Sequence, residues 1–155
     1  MGLSATACRW NSLLASVSKR LESLLLLAIR LFIAEIFLVS GWNKLQNFLN
    51  DDWASTVFLF EEIHPVPYLP ADIAAILGTG GELLLGGLLL AGLLARASAL
   101  GLIIMVGIIE VSLGADATTE LHIMWALLLA VVLVRGAGVF SADMLLGRLC
   151  RRSAA

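Results

Sequence analysis

The sequence predicts an all-α membrane protein: a four-transmembrane-helix bundle with short amphipathic terminal helices. Three observations carry that expectation. Of the 155 residues, 60% are hydrophobic and 14% charged, against roughly 45–50% apolar and 25% charged in a globular domain. The apolar excess is concentrated in long runs. Outside the spans, basic residues are confined to the termini and to alternate connections. The length suits one bundle, with no room for a separate soluble domain.

Residues 1–23 read as a cytoplasmic amphipathic segment. Trp10, Leu13, Leu14, Val17, Leu21 and Leu24 recur at helical spacing, with Arg9, Asn11, Ser12, Lys19 and Arg20 mostly elsewhere. That pattern predicts a short helix on the membrane surface. It is not a cleaved leader, because the apolar run that follows continues to about Leu45 with no A-x-A-like site after it. Residues 24–140 form the transmembrane domain, with spans near 24–45, 71–94, 97–113 and 121–134. The last two are short for a crossing that needs ~20 residues, so they are expected to borrow Thr118, Thr119 and Gly136. The outer loop 49–70 holds all three prolines, with a helical turn expected around 53–62. Residues 141–155 form a cytoplasmic helix or tail, with Ser141 as N-cap and Asp143 in the first turn near the positive dipole end.

Arg9, Lys19 and Arg20 precede the first span, Arg96 separates the second from the third, and Arg135, Arg148, Arg151 and Arg152 follow the fourth. The other two connections carry Asp51, Asp52, Glu61, Glu62, Asp72, Asp116 and Glu120 with no Lys or Arg. All five segments agree on both termini in the cytoplasm of a bacterial inner membrane. Trp42, Trp53 and Trp125 then fall at the outer ends, as in an interfacial belt. Glycines of the second span, such as Gly81, Gly86 and Gly92, point to close helix packing; no strand or Lys supports a phosphate loop.

Charges inside the spans are the candidates for function. A charged side chain at the bilayer centre costs roughly 2.5–3.5 kcal/mol on insertion scales, so each needs a partner or a use. At ~1.5 Å per residue, Arg30 lies in the inner third of the first span and Glu35 nearer the middle. Glu82 falls near the middle of the second span, Glu110 in the outer half of the third, and His122 at the outer end of the fourth. Arg30, Phe37, Gly41 and Lys44 share one helix face, and Glu35 lies about 140° away from Arg30. The expected pairing is Arg30 with Glu82, while Lys44 either approaches the acids from above or snorkels outward. One acid satisfies Arg30, yet there are three, and a spare membrane carboxyl is a candidate proton donor or acceptor. Glu82, Glu110 and Glu35 are the catalytic candidates, and Glu110 is the one expected to be spare. The bland alternative is that the charges only fix helix register or sit at the interface.

Three stretches carry a family resemblance. Arg30 to Leu45 fits R-x(6)-F-x(3)-G-x(2)-K-L; Glu82 to Arg96 fits E-x(3)-G-x-L-L-x-x-G-x-x-x-R; Gly136 to Asp143 fits G-x-G-x-x-S-x-D. Together, and in order, they resemble the DoxX family of small bacterial membrane proteins. The resemblance implies four transmembrane helices in one bundle. It links such proteins to quinone-coupled sulfur oxidation, to membrane oxidoreductase assemblies and to oxidative or metal stress. Glu35 and Glu110 match no shared motif, and this chain lacks the thiol pairs of cysteine-bearing relatives.

Two histidines, two scattered cysteines and no nucleotide motif leave no evident haem, flavin, iron–sulfur or metal centre. In one reading a quinone docks its head in the outer half of the bundle, and a separate membrane or peripheral redox protein is then needed to supply electrons. The alternatives are a transporter, a metal- or stress-handling accessory in which His64, His122, Met105 or Met124 touch a metal, and an assembly scaffold. The net charge of −2 points to no nucleic-acid partner; the bilayer is the expected surroundings, and a homo-oligomer is open.

Overall fold

The computed structural model describes residues 2–113 and 118–153. Among the described residues six α-helices follow one another: α1 Gly2–Leu49, α2 Trp53–Phe58, α3 Ala71–Ala91, α4 Ala95–Leu113, α5 Thr119–Arg135 and α6 Ala142–Ser153. A π-helical turn, Leu59–Ile63, extends α2. The amino-terminal segment expected as a separate short helix is instead continuous with the first span. The reason is local: between residues 3 and 40 there is no proline or glycine to break the helix. The expected apolar stripe of Trp10, Leu13 and Leu14, the side chains of Arg9, Arg148, Arg151 and Arg152, and Asp116 lie outside the described residues.

Three helices are long and apolar enough to cross a membrane: Val17–Leu49 of α1, α3 and α4. At 17 residues, α5 is about 25 Å long, short of a ~30 Å hydrocarbon layer. The outward faces carry Phe32, Ile76, Leu84, Ile104 and Leu127, all exposed. Large apolar side chains facing outward on every long helix are what lipid contact requires. The interior is built from Ile33, Ala34 and Phe37 of α1, Leu89 of α3, Ala99, Leu102 and Val106 of α4, and Leu129 and Val132 of α5. Since lipid is as apolar as these side chains, close packing and hydrogen bonds must hold the helices together.

The segment 53–69 folds over the bundle end opposite the amino terminus. Asn47 Nδ2 donates to the buried Thr56 Oγ1 at 3.1 Å, and the Phe48 and Trp53 rings meet edge to face at 5.6 Å. Ser112 Oγ, at the end of α4, donates to the Pro65 carbonyl at 2.7 Å. Trp125 does not join the interfacial belt expected of it: it turns inward against Phe37, with ring centroids 6.3 Å apart.

Candidate functional site: an ion pair and a His–Glu couple beside one cavity

Apart from Glu35, the charges of the spans form one cluster at the end of the bundle nearer the amino terminus and a second set beside a cavity farther along. The cluster nearer the amino terminus is a clasp. Helix α3 ends on Gly92 in the left-handed conformation, φ +68°, with Leu93 N donating to Leu88 O and Gly92 N to Leu89 O. This is a Schellman ending, which needs a residue without a Cβ. Arg30 reaches across from α1 to the last carbonyls of this helix and to two of the α5–α6 connection. Its Nε donates to Leu89 O and its Nη2 to Leu90 O, both at 2.9 Å. Its Nη1 donates to Ala137 O at 2.7 Å and Phe140 O at 2.9 Å. A cation on a helix C-terminus is favoured by the macrodipole.

Asp143 completes the clasp. Its carboxylate accepts from Leu94 N at 2.8 Å and Ala95 N at 3.1 Å, capping the start of α4. Its own N–H donates to Gly92 O at 3.0 Å. Ser141 is the N-cap of α6, accepting from Met144 N at 3.3 Å. Asp143 therefore serves a second helix as well as lying in the first turn of its own. The spacing of the G-x-G-x-x-S-x-D stretch carries no signal for that partner, 48 residues away.

The expected pairing of Arg30 with Glu82 is not what forms. Arg30 is 1% exposed and donates to four backbone carbonyls, level with the end of α3. Glu82 instead takes Lys44: Nζ donates to Oε1 at 2.8 Å and Oε2 at 2.7 Å. The ammonium's third hydrogen goes to Ser40 Oγ at 2.8 Å. The side chains are 12% and 7% exposed, so Lys44 does not snorkel. Helical spacing put Arg30, Phe37, Gly41 and Lys44 on one face, and all four do face the bundle; what it could not give was the offset of α3 against α1. Gly41 sets that offset. A Cβ there would stand 2.9 Å from Leu83 Cγ and 3.0 Å from Glu82 Cβ, so the two backbones approach at the ion pair.

The second couple lies at the α4–α5 end. Glu110 Oε2 is 2.7 Å from His122 Nδ1, and Glu110 Oε1 accepts from Thr119 Oγ1 at 2.6 Å. Trp125 holds the imidazole edge to face at 5.3 Å. Glu110 is thus not spare, contrary to the sequence expectation. Periodicity places residues on faces of one helix; it says nothing of a meeting between the end of α4 and the start of α5.

Lys44, Glu82, Ser40 and His122 line one cavity of about 620 Å³. Its walls are mainly apolar: Leu59 and Phe60 of the π-turn, Leu77, Met105, Ile109 and Leu113. Phe60 packs on Gly78 and closes one side. His64 and Met105 line the same cavity, whereas Met124 is exposed. Among the described residues, no three of the His, Cys, Asp and Glu side chains gather closely enough to hold a metal ion. Glu35, the remaining candidate, is exposed on the outer face of α1 and belongs to neither cluster. The arrangement joins apolar walls to two protonatable pairs, which suits a flat, largely apolar head group that exchanges protons.

An uncharacterized protein of Haemophilus influenzae is 30% identical over 133 residues, covering 80% of this chain and 84% of that protein. No solved structure matches. The DoxX family matches over residues 25–115, a region that holds Arg30, Gly41, Lys44, Glu82, Gly92 and Arg96 and stops short of the stretch 136–143. With the cavity's ion pair and most of the clasp inside that match, the chain belongs to the DoxX family of membrane proteins.

Proposed function

We propose that the outer cavity binds the head group of a quinone-class lipid, and that the chain is a subunit or accessory of a quinone-linked or oxidative-stress redox system. The observation that carries this reading is a protonatable ion pair, Lys44–Glu82, lining an otherwise apolar cavity of about 620 Å³ together with His122. A quinone head is planar and apolar, with two ring oxygens that take up protons on reduction. The His122–Glu110 couple offers a ring nitrogen and a carboxylate that can hand on a proton, with Glu110 fixing the ring through Nδ1. Electrons come from a separate partner protein.

The same reading has four helices crossing the inner membrane, α5 among them, with both termini in the cytoplasm. It is supported by the alternation of basic and acidic connections and by the packing of Leu129 and Val132 of α5 in the core. A membrane-impermeant thiol reagent added to intact cells should label an Asp51→Cys variant and leave Cys150 untouched.

Binding is tested on the full chain in lipid nanodiscs. Titration with a decyl-substituted benzoquinone should quench tryptophan fluorescence saturably, because Trp125 touches His122. Filling the cavity with Ile109→Trp should weaken saturation about 10-fold or more. Linear, non-saturable quenching in the unaltered protein would remove the quinone reading. Glu110→Gln should keep the fold and lower activity in a strain carrying only the variant at matched membrane levels.

A further inference from the structure

Glu35 stands apart from the other charges of the spans. Arg30, Lys44, Glu82 and Glu110 all bond within the bundle. The Glu35 side chain is exposed, and no described residue bonds or pairs with its carboxyl. It is not at the membrane edge. Gly41 packs on Glu82 midway along α3, and Glu35 lies six residues, about 9 Å, from that level, within the ~15 Å half-thickness of the hydrocarbon.

The face around it repeats at seven residues. Ala28 and Trp42 lie one heptad before and after Glu35, and Leu25, Phe32 and Val39 form the adjacent row; all are exposed. Two rows at heptad spacing make a seam along which two helices pack with a left-handed crossing. One polar residue at a single seam position fixes register and partner number.

We propose that this face of α1 is the contact between two copies of the chain, related by a two-fold axis along the membrane normal, with the two Glu35 carboxyls meeting at the axis. Copies that cross in the same direction place every seam residue opposite its twin at its own depth. Two carboxyls at one depth can pair through O–H···O bonds, a partner that lipid cannot offer. The cations within the first span of a copy are already engaged: Arg30 with carbonyls and Lys44 with Ser40 and Glu82. Only a foreign helix bearing a base could otherwise satisfy Glu35, and the purified chain would then be a monomer.

The test uses the full chain in nanodiscs with Cys8 and Cys150 changed to Ser. Ala28→Cys should cross-link to twice the monomer mass under mild oxidation, while Leu127→Cys, on the exposed face of α5, should not. Glu35→Gln, whose amides can pair with each other, should stay dimeric. Glu35→Leu should fold, as an apolar residue facing lipid, and lose the dimer at least 10-fold in population. A monomeric unaltered protein, equal cross-linking at Leu127→Cys, or a dimer unaffected by Glu35→Leu would each overturn the proposal.

Discussion

Lys44 and Glu82 bind each other through both carboxylate oxygens, at 2.8 and 2.7 Å, across 38 residues of sequence. Removing one member of such a buried pair strands the other, typically at ~3–5 kcal/mol, while replacing both by apolar residues is close to neutral. Lys44→Met and Glu82→Met should therefore each sharply lower the stability of the purified protein in denaturant titrations. The double variant should recover most of the loss. Simple addition of the two losses would mean that the pair does not couple.

Arg30 and Glu82 give the opposite expectation. They share no partner, so the effects of Arg30→Ala and Glu82→Ala should add to within ~0.5 kcal/mol. Arg30→Lys should also be poorly tolerated despite keeping the charge. A lysine offers three hydrogens from one point and cannot serve four carbonyls in two segments. A loss of roughly 2 kcal/mol or more is expected from the unmet carbonyls, read by the same titration.

Gly92 and Gly87 differ in what surrounds them. A Cβ on Gly92 would run into the Arg30 guanidinium and approach Ser141 Cβ to 2.7 Å, in a left-handed backbone. A Cβ on Gly87 meets nothing within 4 Å. Gly92→Ala should lower the folded yield in membranes, and Gly87→Ala should leave it unchanged or raise it, with up to ~1 kcal/mol gained in a helix interior. Equal behaviour of the two would contradict the clasp.

Asp143→Ala removes the cap on α4 and should cost about 1–2 kcal/mol. Asp143→Asn keeps one acceptor and should cost less. Hydrogen exchange at the Leu94 and Ala95 amides, which the carboxylate holds, should speed up in both variants, more in the alanine.

The long apolar helices were legible because extended apolar runs follow directly from the demands of lipid. So was the inward stripe of Arg30, Phe37, Gly41 and Lys44, and its separation from Glu35, since one helix geometry fixes both. Partners were not legible. Whether Glu82 meets Arg30 or Lys44 depends on how far α3 slides along α1, a distance set by Gly41 against Leu83 and by the ending at Gly92. The His122–Glu110 contact depends on the turn between α4 and α5. Motif residues also did not announce their division of labour: Arg30, Gly92 and Asp143 hold one end together, while Gly41, Lys44 and Glu82 shape the cavity at the other.

The clasp also sets an order of events during synthesis. Arg30 is made early, but two of its four carbonyl partners belong to residues 107 and 110 positions later. At ~5–20 residues per second, those carbonyls reach it roughly 5–20 s after it leaves the peptidyl-transferase centre. During that interval a nascent first helix carries a guanidinium with unmet hydrogens and must rest where water still reaches it. The first helix can settle to its final depth only when the last one has arrived, so a ribosome stalled before Ala137 should leave an early span that is shallow, accessible to solvent and open to proteolysis.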